Sequence, residues 1–160
     1  MSFDTALAAA RIPDEAWRAL QDLVQQTVGA KLFTIMTVDM QAMLARRAYS
    51  SDPVNYPAAG TKPITPNRWF DHVHRDGKTF VANTLADIAT VFPDHELIGQ
   101  LGCGSVINLP IRQNGQLLAT MNILHAEQHY TPDRVTVTEE TLSAPAHAAY
   151  ARARSLGPLL

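Results

Sequence analysis

Two asparagines, Asn108 and Asn122, stand near the middle of two apolar runs in the stretch SVINLPIRQNGQLLATMNILH, residues 105–125. A buried amide left without a partner costs about 1–3 kcal/mol. The pair is therefore expected either to hydrogen-bond across strands or to contact a ligand, and the residue types allow both. Histidines are the acid–base candidates. His72 and His74 lie two positions apart and so diverge on a helix, and together with His95 and His125 they lack the spacing of a metal site, so no bound metal is expected. The single cysteine, Cys103, can form neither an internal disulfide nor a cysteine-based zinc site, and reads as a small buried hydrophobe. Arg46 and Arg47 are adjacent on a strand and point to opposite faces, so at most one of them is expected at the mouth of a pocket. No Ser/His/Asp grouping and no paired carboxylates stand out, because the acids sit mostly at helix starts and exposed positions.

The elements that position these groups belong to a chain of 160 residues, 46% hydrophobic and 18% charged, long enough for one sizeable core, so one domain over residues 1–160 is expected. A formal net charge of -2 and the lack of any Lys/Arg run exclude a nucleic-acid or anionic-membrane surface as the expected partner. The N-terminal MSFDTALAAARIPDEAW has no basic n-region, and no stretch approaches the roughly 18 apolar residues of a membrane span. The expected location is cytoplasmic.

Along the chain, IPDEAWRALQDLVQQTVG predicts an amphipathic helix: Pro13 suits a first turn, Asp14 and Glu15 its positive end, Trp17, Leu20, Val24 and Val28 one stripe, and Gly29 the stop. Residues 32–39 and 43–50 predict a hairpin. A Pro- and Gly-rich connection, SSDPVNYPAAGTKPITP, is too long for a simple turn, and loops of that kind are usually functional. NRWFDHVHRDG predicts a short helix and KTFVAN a short strand, with helical pieces at LADIATVF and DHELIGQLG. The closing helix starts with Thr131 as N-cap and Pro132 at its first position, and Pro145 is expected to bend or interrupt it.

Strand register decides where the asparagines point. A two-residue turn at Asn114-Gly115 places Asn108 opposite Met121 and mixes both faces. A three-residue turn, Asn114 to Gln116, sets Asn108 across from Asn122 and sorts the faces. One face then carries Ile107, Leu109, Ile111, Leu117, Ala119, Met121 and Ile123, the other Val106, Asn108, Thr120, Asn122 and Leu124. The sorted register is the expected one. Its half-polar face needs a cover, and the segment from Ser51 to Gly102, with Trp69 and Phe70, is expected to supply it as plain core or as the wall of a small-molecule site. The candidate ligand-binding residues are Trp69, Phe70, Val106, Asn108, Thr120, Asn122 and Leu124.

This order of elements, with Ser105, Pro110, Ile111, Leu118, Ala119 and Ile123 in the second hairpin and Tyr130-Thr131-Pro132-Asp133 at the last helix, resembles a GAF domain over residues 13–154. The resemblance implies an α+β fold: a central antiparallel sheet, the terminal helices packed on one face, and a ligand pocket covered by the long crossover on the other. It also separates this chain from the chemically specialised branches. Free methionine-(R)-sulfoxide reductases are similar in framework, but their acids match Val106, Asn122 and Leu124 here, and Cys103 has no resolving thiol. Asn83, Phe92, Asp94 and Glu96 do not reproduce a cyclic-nucleotide pattern, and Cys103 precedes Gly104 where bilin attachment usually needs histidine.

The expected function is a stand-alone, non-catalytic sensory domain that binds an unidentified small molecule, with no cofactor assigned. It is expected to act as a homodimer through its terminal helices, where Ala144, Ala146, Ala148, Ala149, Ala151 and Ala153 permit close approach. The alternative is an enzyme using the pocket through histidine acid–base chemistry, for which a histidine within reach of a carboxylate inside the cavity is the discriminating feature.

Overall fold

Pro13 opens α2 (Pro13–Thr27), whose buried stripe of Ala16, Trp17, Leu20 and Val24 lies over the central sheet. The structure, a computed structural model, describes residues 1–159. Before α2 comes α1 (Phe3–Ala9), capped by the Ser2 hydroxyl and packed on α2. The six strands are β1 (Leu32–Asp39), β2 (Leu44–Ser50), β3 (Lys62–Pro63), β4 (Phe80–Ala82), β5 (Ser105–Gln113) and β6 (Gln116–His125). They form one antiparallel sheet in the order β3-β2-β1-β6-β5-β4. The architecture is the α+β arrangement expected. No helix among the described residues is long and apolar enough to cross a membrane.

The sheet separates two cores. On one face α2 and α7 (Ser143–Leu156) cover Phe33, Ile35, Ile107, Leu109, Ile111, Met121 and Ile123. Ala146, Ala149 and Ala153 are fully buried there, and their small side chains let α7 lie close to its neighbours. The other face carries Val106, Leu124 and Leu32 under the crossover, which supplies Val73, Phe80, Ile88 and Ile98. Within the crossover lie α3 (Arg68–Phe70), a π-helical turn (Asp71–Arg75), α4 (Leu85–Ala89) and α5 (His95–Gln100).

The closing helix starts as expected, with the Thr131 hydroxyl accepting from Arg134 N and Pro132 at its first position. It is then interrupted: α6 (Pro132–Val137) gives way to a π turn over Thr138–Leu142 before α7 begins. Pro145 has no N–H to give Thr141, and the wider turn just ahead of it takes up the misfit.

The second hairpin corrects the expected turn. Asn114 (φ 53) and Gly115 (φ 77) make a two-residue turn closed by Gln113 opposite Gln116, and both need the left-handed region that this hairpin type demands. A bulge then intervenes, because Arg112 pairs with Leu117 but Ile111 pairs with Ala119, leaving Leu118 over. Beyond the bulge Asn108 sits opposite Asn122, as the sorted faces required. Leu117 is the casualty of the three-residue expectation: it packs with Val106 and Leu124 on the crossover side.

Candidate functional site

Asn67 caps α3 by accepting from Phe70 N at 2.8 Å, and that cap holds Trp69 over the sheet. The indole N–H of Trp69 donates to Asn108 Oδ1 at 2.9 Å. Asn108 in turn donates through Nδ2 to Asn122 Oδ1 at 2.7 Å, and Asn122 Nδ2 donates to Thr34 Oγ1 at 3.2 Å. Thr34 reaches this string because β1 pairs it with Asn122. Every bond in the string runs the same way, so each polarises the next, and the Thr34 hydroxyl is left with a proton to offer.

Above this floor lies a cavity of about 340 Å³, walled by the sheet, by the crossover and by the loop after β2. Tyr56 stands at its mouth with the Arg47 guanidinium 3.6 Å above its ring. The Tyr56 hydroxyl donates to Asp94, and Arg47 pairs with the same carboxylate at 3.6 Å while giving another N–H to Pro57 O. Burial, and then the hydrogen bond to Asp94, push the Tyr56 phenol well above its ordinary range, so it stays a neutral donor. This latch ties the loop after β2 to the start of α5.

His74 also lines the cavity, 5% exposed and flanked by Trp69 and Phe70. Its Nδ1 lies 3.2 Å from Met40 Sδ, and since a thioether only accepts, the proton sits on Nδ1. Nε2 is then a buried acceptor with no protein partner. Burial lowers the His74 pKa to about 4, so the ring is neutral at pH 7.

Of the seven residues singled out from sequence, Trp69, Val106, Asn108, Asn122 and Leu124 line the cavity. Phe70 and Thr120 do not. Phe70 turns away against His74, with ring centroids 4.7 Å apart, because it follows Trp69 directly on a helical turn. Thr120 is fully buried in the sheet between Pro110 and Met36, covered by its neighbours rather than open to the cavity. Arg46 and Arg47 both line the cavity, against the expectation of one. Arg46 reaches it from the edge of the sheet: it pairs with Thr37, also borders a cleft with Trp17 and Leu159 on the helix side, and donates through Nε to Ala59 O in the loop that forms the wall.

None of the remaining histidines lines the cavity. His72 Nε2 bonds Thr79 O, His95 Nδ1 bonds Phe92 O, and His125 stacks on His129 at 3.5 Å. No group of three or more metal-binding side chains exists among the described residues. Cys103 is buried, with its thiol pushed up by that burial. Sequence reasoning missed Thr34, Tyr56, His74 and Asp94 as wall residues. Tyr56 carried a signal, a large aromatic inside a polar Pro/Gly loop, whereas Asp94 meets it only through folding.

The profile of the GAF domain family matches residues 10–148. Solved structures agree at the level of fold. The GAF domain of a two-component sensor histidine kinase from Bacillus halodurans superposes with a TM-score of 0.72 at 13% identity, covering 93% of this chain and 100% of that one. The GAF domain of a phosphoenolpyruvate-protein phosphotransferase from Coxiella burnetii gives 0.67 at 14% identity, covering 96% and 92%. Free methionine-R-sulfoxide reductase from Neisseria meningitidis, solved with its substrate, gives 0.61 at 15% identity, covering 97% and 87%. No curated protein sequence matches this one significantly. With the helix-covered antiparallel sheet, the crossover above it and the family profile in agreement over most of its length, the chain belongs to the GAF domain family.

Proposed function

We propose that this GAF domain binds a small molecule in the cavity between sheet and crossover and acts as a sensor without catalysing a reaction. The observation that carries the reading is the bond string Trp69–Asn108–Asn122–Thr34 beneath the cavity, polar groups placed at the floor of a chamber whose walls are mostly apolar and whose charged groups are few. Its volume of about 340 Å³ lies at the small end of the range for ligand sites. Trp69 belongs to both the string and the wall, so an occupant touches a residue of the crossover as well as the sheet. The Tyr56–Asp94–Arg47 latch gives the chamber a closure that ligand entry has to open.

Enzymatic use of the cavity is the weaker reading, since its one histidine meets a methionine sulfur rather than a carboxylate. The signalling half of the proposal is a homodimer through the terminal helices. Support comes from α7, whose Ala146 row is buried against the domain while Ala144, Ala148 and Ala151 remain exposed on its outer side.

Native mass spectrometry of freshly purified protein tests both halves in one measurement. The expected spectrum shows a mass of two chains and an additional small mass lost on activation. A spectrum of bare chains that stays unshifted when a library of small metabolites is added would overturn the binding half.

A further inference from the structure

The cavity lining is electrostatically one-sided. Three cations, Arg46, Arg47 and Lys62, line it against one carboxylate, Asp94, in a chain whose formal net charge is -2. That carboxylate is already engaged by the Tyr56 hydroxyl and by Arg47. Arg46 spends only its Nε–H on Ala59 O, and Lys62, exposed at the rim, makes no ion pair among the described residues. The floor also has donors to offer. Asn108 and Asn122 each use one amide N–H in the string and keep a second, and the Thr34 hydroxyl proton is uncommitted. One buried group runs the other way: Nε2 of the neutral His74 ring is an acceptor without a protein partner, and a carboxylate head does not serve it. Apart from Thr65 and Asn67 the rest of the wall is apolar, with Trp69 and Phe92 in edge contact at 6.1 Å and Met36, Ile64 and Leu124 beside them.

From this arrangement we infer that the cavity takes a small organic carboxylate with a flat apolar body. The inference rests on the proposed function and narrows it to a ligand class. A carboxylate is acceptor-only and carries the charge that the rim lacks, so it satisfies donors that a cation would leave unpaired. The apolar body fills the space between the sheet and the Trp69–Phe92 wall.

Benzoate, benzyl alcohol and benzylamine share that body and differ in the head group, so they separate charge from shape. Each is titrated against the purified chain, with thermal unfolding and Trp fluorescence as readouts. Benzoate is expected to raise the unfolding midpoint and to bind at least about tenfold more tightly than either analogue, the worth of one well-made charged hydrogen bond. Asn122→Asp keeps the shape of the floor and still accepts from Asn108, but it adds a negative charge and draws the Thr34 proton to itself. It is expected to abolish the benzoate preference and favour benzylamine. Because a buried carboxylate endangers folding, Lys62→Glu at the exposed rim is the companion variant, expected to weaken benzoate about threefold while leaving benzyl alcohol unchanged.

Benzyl alcohol or benzylamine binding as tightly as benzoate would overturn the carboxylate assignment and leave the cavity a ligand site. Benzoate binding unaffected by Lys62→Glu, and by Asn122→Asp where that variant folds, would place it outside this cavity and overturn the assignment too. Silence from all three probes also overturns it, and the native spectrum described above then decides separately whether the cavity binds anything.

Discussion

Asn108 is the residue on which most of the site's order depends, since its amide accepts from Trp69 and donates to Asn122 while only 2% exposed. Asn122→Leu strands one Asn108 N–H and the Thr34 hydroxyl, and is expected to cost about 1–3 kcal/mol in urea unfolding. Asn108→Leu strands the Trp69 N–H and Asn122 Oδ1 and should cost at least as much. The double variant Asn108→Leu/Asn122→Leu should cost less than the sum of the two, because the second substitution removes a group that the first has already orphaned. Strict additivity in that cycle would mean the amides are not coupled. His74 carries a second prediction at this scale. Its folded pKa of about 4 lies below the unfolded value of 6.5, so the unfolded chain takes up the proton first as pH falls. The stability tied to a neutral His74 is therefore complete above pH 6.5 and lost between 6.5 and about 4. His125, also lowered, first by burial and then by His129, Lys31 and Arg134, acts in the same direction. Unfolding midpoints recorded across this window should fall with acid, and His74→Phe should flatten the fall.

The second hairpin is an element whose sequence contains two departures from regularity that cancel. A two-residue turn alone would have sent Asn108 and Asn122 to opposite faces, and the extra residue in β6 restores the pairing. Removing one leucine from the Leu117–Leu118 pair should close the bulge while keeping Asn108 opposite Asn122. Trp69 would then retain its hydrogen-bonding environment, and backbone resonances near Asn122 would move little. Loss of the Asn108–Asn122 contact in that deletion would show the bulge to be essential to the register. The face pattern was legible in sequence because burial sorts side chains whatever device sets the register, but the device itself was not, because a longer turn and a short turn with a bulge predict the same faces. The helix 13–29 and the strands of the first hairpin were legible for the same reason, a strong period of burial. The helix α1 was not: FDTALAA spans only two turns, and its short stripe of Phe3, Ala6 and Leu7 is no more than half-buried. Nor was the two-residue strand β3, which exists only because β2 has an edge to pair with it. At the site, Asn108, Asn122 and Trp69 could be found from the cost of burying amides and the need for a cover. Tyr56 and Asp94 lie 38 positions apart, and no periodicity links groups brought together by the closure of a loop.

At the scale of the whole molecule the outer face of α7 decides whether one chain can report its ligand to another. On α2 the outward positions are Asp14, Glu15, Arg18, Asp22 and Gln25, a hydrated face that would have to lose its water in an interface. On α7 the outward Ala144, Ala148 and Ala151 carry no charge, Arg154 at the C-terminal end being the exposed exception, and alanine loses almost no side-chain entropy when covered. Two copies related by a twofold axis would therefore meet along α7, each presenting the same row to the other. The chain of contact to the cavity is short: α7 covers β5, and β5 carries Asn108. Sedimentation of the purified chain at micromolar concentration is expected to give a single species of two chains. Ala148→Glu places a carboxylate opposite its own copy across the axis, where like charges repel and lose hydration together. It should shift the species to one chain while leaving the unfolding midpoint at low concentration nearly unchanged, since Ala148 is exposed in the monomer. A wild-type sample that sediments at one chain's mass would end the dimer proposal, and a variant that remains a dimer would move the interface away from α7.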